Sequence, residues 1–533
     1  MKERTAGAIL AVLLVLLAWM QFYGLDRLVL SSDELFRARA LVGEDWDLFK
    51  VAWPAEAVRE HFQSWPVHMP PGLGLLMRAA VVVLGPTPLA LRLFPWLFGV
   101  AGVLMIYWMY RSIMGRRFAL LPLVMAGFAS SLMLTIAKTM KHYTADVFFC
   151  ALIYWIAWRI VREGKTRDWV WLGVVSAAAF WISFGSVFVA AAVYLTLAVY
   201  VLARRAAWSE KKKVLIHYAG ASLAAAASLG VLFFLIIQPA FGNDAFIDHI
   251  SKSGLQLFDW SRWNQGEYWA RYLARMVHHT FRIPMLFFRR DLAFGALINA
   301  LIAYWAVLSL RRRNWLLLSF FFTPYLLIIL GSFAGKYPLK AYELVTFTMP
   351  AWLIMATAGL RELYDRLAVR RRLVANACIA GVVLFTAYLS YLNLHDVRRL
   401  HFAGGRRVDK AIALLMDNAQ DRDTAFIHWG AILPFYVYGT DHAAGYQSEY
   451  PIKNRTGGRL QVIWGEEHLG NLAGNEEQFQ RIESVPGRLW LVFCHKWPSQ
   501  EMEVLIQRIE AQRPLIQRHD LRKCQVLLFG PRP

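Results

Sequence analysis

Two adjacent carboxylates, Asp33 and Glu34, stand in the stretch Ser31-Ser32-Asp33-Glu34-Leu35-Phe36, ten residues after an apolar N-terminal segment ends. Neighbouring residues on a helix diverge by about 100°, so the two acids cannot address one substrate atom in the same way. Their roles must divide. One could orient or deprotonate an acceptor hydroxyl or amine, and the other could hold the local helix or a bound cation. A helix start is the competing reading: Ser31 or Ser32 as the cap with acids in the first turn is a common arrangement, and on residue types alone it ranks first.

Three further groups carry chemistry. His68, in Trp65-Pro66-Val67-His68-Met69-Pro70-Pro71-Gly72, could donate to a phosphate or accept a proton, although a lone histidine beside aromatics is more often a packing residue. The prolines fix the entry of a short helix there. Lys138, Lys141, His142, Tyr143 and Asp146 form the next group. Here Lys141 and Tyr143 could bind a lipid-linked phosphate with Asp146 facing the bundle interior, or a lysine and the aspartate could simply pair. The last group is Gly335-Lys336-Tyr337-Pro338-Leu339-Lys340-Ala341-Tyr342-Glu343. Lysines beside a tyrosine and a rigid proline suit an anion, with snorkelling to lipid headgroups as the alternative.

Standard soluble-enzyme signatures are missing: there is no phosphate loop, paired CxxC, HExxH or GxSxG. Metal dependence stays open, because Glu34 and His68 are the residues that could share a divalent cation but sit on one loop with no ligand spacing.

The elements that must position these groups are membrane spans. The chain has 533 residues, of which 57% are hydrophobic and only 18% charged, with a mean hydropathy of +0.38. That is too apolar for a soluble protein of this length and marks a polytopic α-helical membrane protein. A net charge of +21 could suggest nucleic acid, but the basic residues do not form a groove or stripe. They cluster between apolar runs: Lys2 and Arg4; Arg111, Arg116 and Arg117; Arg159, Arg162, Lys165 and Arg167; Arg204, Arg205 and Lys211 to Lys213; Arg311 to Arg313; Arg361, Arg366 and Arg370 to Arg372.

Reading each cluster as a cytoplasmic loop predicts about eleven spans, near 6–23, 89–110, 118–137, 143–161, 168–184, 186–203, 214–238, 292–310, 314–333, 343–360 and 373–393. The N-terminus is then inside, and residues 24–88, 239–291, 334–342 and 394–533 lie outside. The first segment is long enough to span and lacks a clean cleavage site, which weighs against a signal peptide. Pro71 to Leu84 is short for a span and reads as an interfacial or re-entrant helix.

After residue 393 the composition becomes mixed and polar over about 140 residues, enough for a separate outer domain. A helix at Val408 to Asn418, strands at Thr424 to Trp429, Leu489 to Cys494 and Gln525 to Phe529, and a helix at Glu501 to Gln512 suggest an α/β fold. Cys494 and Cys524 fall at strand ends and could form a disulfide, with free buried thiols as the alternative. Trp429, Tyr436, Tyr438, Tyr446 and Trp464 serve either the core or carbohydrate stacking, core being the commoner use.

In order along the chain, SSDELFRAR, HMPPGLGLL followed by LGPTPLALRLFPWLFG, KHYTADVFF and KYPLKAYELVTFTMP resemble the GT-C superfamily of integral-membrane glycosyltransferases. The likeness is in particular to the family 39 group, which holds protein O-mannosyltransferases and the lipid A aminoarabinose transferase. It covers roughly residues 1–393, with a more general likeness of residues 394–533 to C-terminal domains of the group. The resemblance implies transfer of a sugar from a polyprenyl-phosphate donor to a glycan, lipid or protein acceptor at the outer face of the cytoplasmic membrane, with inversion. It makes Asp33 the base or acceptor-orienting carboxylate and Glu34 its support. Lys141, Tyr143, Lys336, Tyr337 and Lys340 would stabilise the leaving lipid phosphate, Lys340 standing where relatives commonly carry arginine. His68 and Asp146 are the remaining site candidates. Two other classes compete. A transporter or flippase for lipid-linked sugars would place ionisable residues mid-span, and a non-catalytic envelope-glycan assembly protein would not need the acidic pair.

Overall fold

In the computed structural model the described residues are 3–23, 25, 69–85, 87–204, 207–238, 265–288, 292–334, 342–398, 408–428, 452–453, 459–464, 476–494, 500–521 and 524–533. By its contacts the chain divides into two compact units, the helical one ending at Arg399 and the second running from Leu400, with Ala80–Leu91 grouped with the second.

Helix α1 spans Glu3–Phe22, and α2 is the short helix Pro71–Leu84. Next come α3 (Pro88–Met114), α4 (Leu120–Val124, continued as a π-helix through Ala129), α5 (Ser131–Ile136), α6 (Tyr143–Glu163), α7 (Thr166–Ile182), α8 (Gly185–Ala203) and α9 (Trp208–Leu232). The series continues with α10 (Gly266–Phe287), α11 (Leu292–Arg311), α12 (Trp315–Phe333), a 3-10 turn over Tyr342–Thr348, α13 (Met349–Arg370) and α14 (Arg372–Arg398). Among the described residues nine helices are long and apolar enough to cross a membrane.

Two of the eleven expected spans differ. The stretch 118–137 is not one helix: it widens into the π-helix Met125–Ala129 and breaks at Ser130, whose backbone is extended and whose hydroxyl caps Met133 N–H at 3.2 Å. Asn393 of α14 donates to the carbonyls of Phe128 and Ala129 at 2.8 and 2.9 Å, satisfying oxygens that the break would otherwise leave bare. The stretch 168–184 is the helix Thr166–Ile182 of only 17 residues, ended by the extended Ser183.

Most of the basic clusters converge on one end of the bundle. Arg117 bonds Asp365 at 2.5 Å, Arg361 bonds the Met114 carbonyl, and Arg312 grips Glu362 through two contacts of 2.7 Å. Trp158 donates to Ser112 O at 3.0 Å, which brings the C-terminal end of α6 to that of α3. There Arg159 meets Asp168 at 2.9 Å across the α6–α7 turn.

Elsewhere backbones touch where a glycine permits it. A Cβ on Gly359 of α13 would lie 2.2 Å from the Leu301 carbonyl of α11, and one on Gly72 of α2 would lie 2.7 Å from that of Trp181.

The second unit holds α15 (Val408–Asn418), β1 (Thr424–Ile427), β2 (Ile452–Lys453), β3 (Arg459–Trp464), α16 (Glu476–Glu483), β4 (Leu489–Cys494), α17 (Gln500–Glu510), β5 (Leu515–Leu521) and β6 (Cys524–Phe529). Their sheet runs β2-β3-β1-β4-β6-β5, with β3, β1 and β4 parallel and the outer pairs antiparallel. Ile412 and Leu415 of α15 pack on one face with Trp490 and Val492. Phe479, Ile482, Leu505 and Ile509 of α16 and α17 pack on the other with Leu491 and Phe493. The two faces follow the alternation of β4. Asp423 closes the corner by accepting from Trp490 Nε1 at 2.8 Å and Gln420 N at 2.9 Å. Cys494 and Cys524 are directly opposed across β4 and β6, and Cys524 is buried.

Replacing Gly359 with valine forces the α11 backbone away. We expect it to cost about 1–3 kcal/mol of stability, read as a lower thermal midpoint of the purified protein, with Gly381→Val, in open space, as the control.

Candidate functional site

At the end of the bundle away from the paired basic clusters, the N-terminal turns of α6 and α8, the C-terminal end of α1 and the N-terminal half of α3 meet. Asp146, one turn into α6 and only 1% exposed, organises this region. One carboxylate oxygen accepts from Ser183 Oγ at 2.7 Å and from Gly185 N at 3.2 Å. The other lies 3.6 Å from His142 Nε2. Ser183 Oγ in turn accepts from Ser186 N at 3.1 Å. Asp146 therefore clasps the turn between α7 and α8 and caps the first turn of α8. Asp146 is thus met by Ser183 and Gly185 at one oxygen and by His142 at the other, and Lys138 donates to the Tyr23 carbonyl.

The clasp fixes Gly185, whose missing side chain leaves room for Phe347: a Cβ there would fall 2.6 Å from that residue's Cβ. Phe347 stacks on Phe188 with centroids 5.5 Å apart. Val345, Thr346 and Phe347 are fully buried. The 3-10 turn that follows the Lys336–Lys340 loop is thus seated on α8, the helix that Asp146 holds.

Lys141 lies over Tyr143, with Nζ 5.4 Å from the ring centroid, a cation–π distance. His142 packs between Tyr143 (4.7 Å) and Phe184 (5.4 Å). Thr144 Oγ1 donates to the carbonyl of Pro95 at 2.8 Å, tying α6 to the proline-bearing turn of α3.

Lys138 is 3% exposed and donates to the Tyr23 carbonyl at the end of α1, at 2.7 Å. Burial, and then the nearby Arg92, pull its ammonium down to about 8. Arg92 itself is 1% exposed. Beside them Gln21 is completely buried with neither amide atom bonded, its oxygen 2.7 Å from where a Cβ of Gly99 would stand. Sequence reasoning missed Arg92 and Gln21. The available signal was a single charge or amide interrupting an apolar run, as in Leu89-Ala90-Leu91-Arg92-Leu93-Phe94.

Of the expected site residues, Lys141, Tyr143 and Asp146 are brought together here. Asp33, Glu34, His68, Lys336, Tyr337 and Lys340 lie outside the described residues. Among the described residues no group of three His, Cys, Asp or Glu side chains is placed to hold a metal ion. Lys138 and Arg92 are buried here, and Lys141, over its tyrosine, is partly exposed.

The protein family described as Dolichyl-phosphate-mannose-protein mannosyltransferase matches residues 68–234. Among curated proteins none matches the chain by sequence. Solved structures share its fold. ArnT from Cupriavidus metallidurans in the apo state superposes with a TM-score of 0.52 at 13% identity, over 98% of this chain and 98% of that one. The Archaeoglobus fulgidus oligosaccharyltransferase in complex with Zn and sulfate gives 0.51 at 15% identity, over 90% of this chain and 67% of that one. The same enzyme tethered with an acceptor peptide gives 0.51 at 14% identity, over 98% and 74%.

Two outcomes follow from the clasp and the buried lysine. Asp146→Ala strands the Ser183 hydroxyl and the Gly185 N–H, and should lower stability by about 1–3 kcal/mol, measured as a drop in thermal midpoint. Folded chain releases the Lys138 proton near pH 8 whereas the unfolded chain holds it to 10.5, so above pH 8 the unfolded state binds more protons. Wild type should therefore gain stability relative to Lys138→Gln as pH rises from 8 towards 10.5, in midpoints measured across that window.

Proposed function

We propose that the chain, which shares its fold with ArnT from Cupriavidus metallidurans and matches the mannosyltransferase family over residues 68–234, transfers a sugar from a polyprenyl-phosphate donor to an acceptor at the outer face of the cytoplasmic membrane. The observation that carries this reading is the polar end of the bundle. Lys138, Lys141 and Tyr143 gather there, and the turn leaving the Lys336–Lys340 loop is seated on the same helices, opposite the end where the basic loops pair with Asp365 and Glu362.

The chemistry is a single displacement. The acceptor oxygen or nitrogen attacks the anomeric carbon from the face opposite the phosphate, giving inversion, and its proton passes to the Asp33 carboxylate, which Glu34 supports. As the bond from the anomeric carbon to the phosphate oxygen breaks, negative charge grows on the lipid phosphate. Lys141, Lys336 and Lys340 balance that charge, and Tyr143 and Tyr337 donate hydrogen bonds. Lysines act here as point charges rather than as planar forks, so the phosphate is held by neutralisation more than by fixed geometry. Asp146 works at one remove, holding α8 and thereby the seat of the 3-10 turn. The N-terminus lies in the cytoplasm and residues 394–533 lie outside, following the charge pattern of the loops.

Purified protein in lipid should release polyprenyl phosphate when supplied with the correct donor from a panel of polyprenyl-phosphate sugars. Parallel reactions with chelator report whether a divalent cation takes part. Asp33→Asn should lower transfer at least a thousandfold while expression and thermal midpoint stay unchanged. Transfer at the wild-type rate by that variant would remove Asp33 from the mechanism.

A further inference from the structure

Helix α10 differs from the nine apolar helices: its sequence, Gly-Glu-Tyr-Trp-Ala-Arg-Tyr-Leu-Ala-Arg-Met-Val-His-His-Thr-Phe-Arg-Ile-Pro-Met-Leu-Phe, mixes cations and apolar residues along its length. At 100° per residue these sort into three faces about 120° apart. The first carries Tyr272, Ile283 and Phe287, exposed by 4%, 2% and 1%, and is turned to the bundle. The Tyr272 hydroxyl bonds Ser332 Oγ at 2.7 Å, Thr280 bonds the Tyr325 hydroxyl, and the Phe281 carbonyl accepts from Asn299 at 2.7 Å.

A second face carries Leu273, Val277 and Phe281, exposed by 42%, 51% and 55%. The third carries Arg271, Arg275, His278 and Arg282, all exposed and falling within about 60° of arc over about 17 Å of helix. Arg271 pairs with Glu267 one turn back. Arg275 and Arg282 make no ion pair with the described residues.

Three faces with three preferences need three surroundings: protein, acyl chain and anion. One place supplies all of them. A helix lying against a membrane bundle at the level of the headgroups has packed side chains behind it, hydrocarbon on one flank and lipid phosphates on the other. The first part of α10 meets the end of α12 opposite Arg312 and its Glu362 partner, at Ser332 and Phe333, and its later part slants inward to Tyr325 and Asn299. Under the charge rule, arginines gathered at that end are out of place unless they have an anion to meet.

We propose that the Arg271–Arg275–His278–Arg282 stripe of α10 is a binding surface for net-anionic phospholipid headgroups of the outer leaflet. The apolar strip Leu273–Val277–Phe281 lies along their acyl chains. The inference takes from the proposed function only which leaflet this end of the bundle meets. It requires no sugar donor, so it stands or falls apart from transfer activity.

Full-length protein in non-ionic detergent is titrated with phosphatidylglycerol, with phosphatidylcholine of the same acyl chains, and with inorganic phosphate, and bound lipid is counted by native mass spectrometry. Phosphatidylglycerol should bind saturably and phosphatidylcholine should not, while millimolar inorganic phosphate should fail to displace the lipid. Arg275→Gln with Arg282→Gln should weaken binding by about five-fold per arginine removed. The double lysine variant should restore most of it, and Arg370→Gln, an exposed arginine elsewhere, should bind as wild type. Equal binding of the two lipids, or undiminished phosphatidylglycerol binding by the double glutamine variant, overturns the assignment. If the double glutamine variant fails to fold, the lysine variant and competition by inorganic phosphate still decide: displacement by the free ion assigns the stripe to phosphate rather than to a lipid.

Discussion

The helical unit depends on one buried carboxylate. Asp146 is sunk in an apolar bundle, where an unmet charge would cost several kcal/mol, and it is tolerated because Ser183 and Gly185 bond it directly. Those bonds set where α8 begins and how α7 turns into it. Gly185 then admits Phe347, and Phe347 brings the 3-10 turn onto α8. A single acid near the start of α6 therefore governs three consecutive helices and the approach of a fourth segment nearly 200 residues later. Its spacing from Lys141 and Tyr143 invites a chemical role, but its bonds assign it to positioning the residues that would perform the chemistry.

Polar contacts in this bundle collect at its two ends, and the ends differ in kind. At one, Arg117, Arg312 and Arg159 are matched by Asp365, Glu362 and Asp168. At the other, Lys138 donates to the Tyr23 carbonyl and Lys141 lies over the ring of Tyr143. The first arrangement suits loops that hold helices in register. The second gathers lysines where the proposed donor would bring its phosphate, and α10 adds a row of exposed arginines.

Much of the architecture was legible in the sequence because long apolar runs bounded by basic clusters have one physical solution in lipid. The strands Leu489–Cys494 and Cys524–Phe529 and the helix Val408–Asn418 were legible for a similar reason, having continuous apolar or clearly periodic patterns. What escaped shows the limits of pattern. Ser130 sits in an apolar stretch that reads as one span, and only its hydroxyl hints at a break completed by Asn393 more than 250 residues away. Strand β5, Leu-Ile-Gln-Arg-His-Asp-Leu, is an edge strand with exposed polar residues and carries no alternation to find. Helix α10 was hidden because its three faces lower its mean hydropathy below that of a span. Within the site, Lys141 beside Tyr143 followed from local spacing, whereas burial of Arg92 and Gln21 depended on which helices pack together.

Lipid offers helices no hydrophobic gain on association, because acyl chains are as apolar as leucine, so close packing and polar clasps must select the arrangement. Both are present. Glycines at positions 72, 99, 102, 127, 173, 185 and 359 each leave a space that a neighbouring residue fills to within 3.3 Å of a would-be Cβ. These contacts determine separation but not rotation, since an apolar surface can slide. Rotation is set by the directional bonds: Asp146 to Ser183, Thr144 to Pro95, Asn393 to Phe128 and Trp158 to Ser112. Because those bonds engage neither Lys141 nor Tyr143, these side chains can change without disturbing how the helices are held. A bundle built in this way can keep its fold while its substrates diverge, consistent with a shared fold at 13–15% identity.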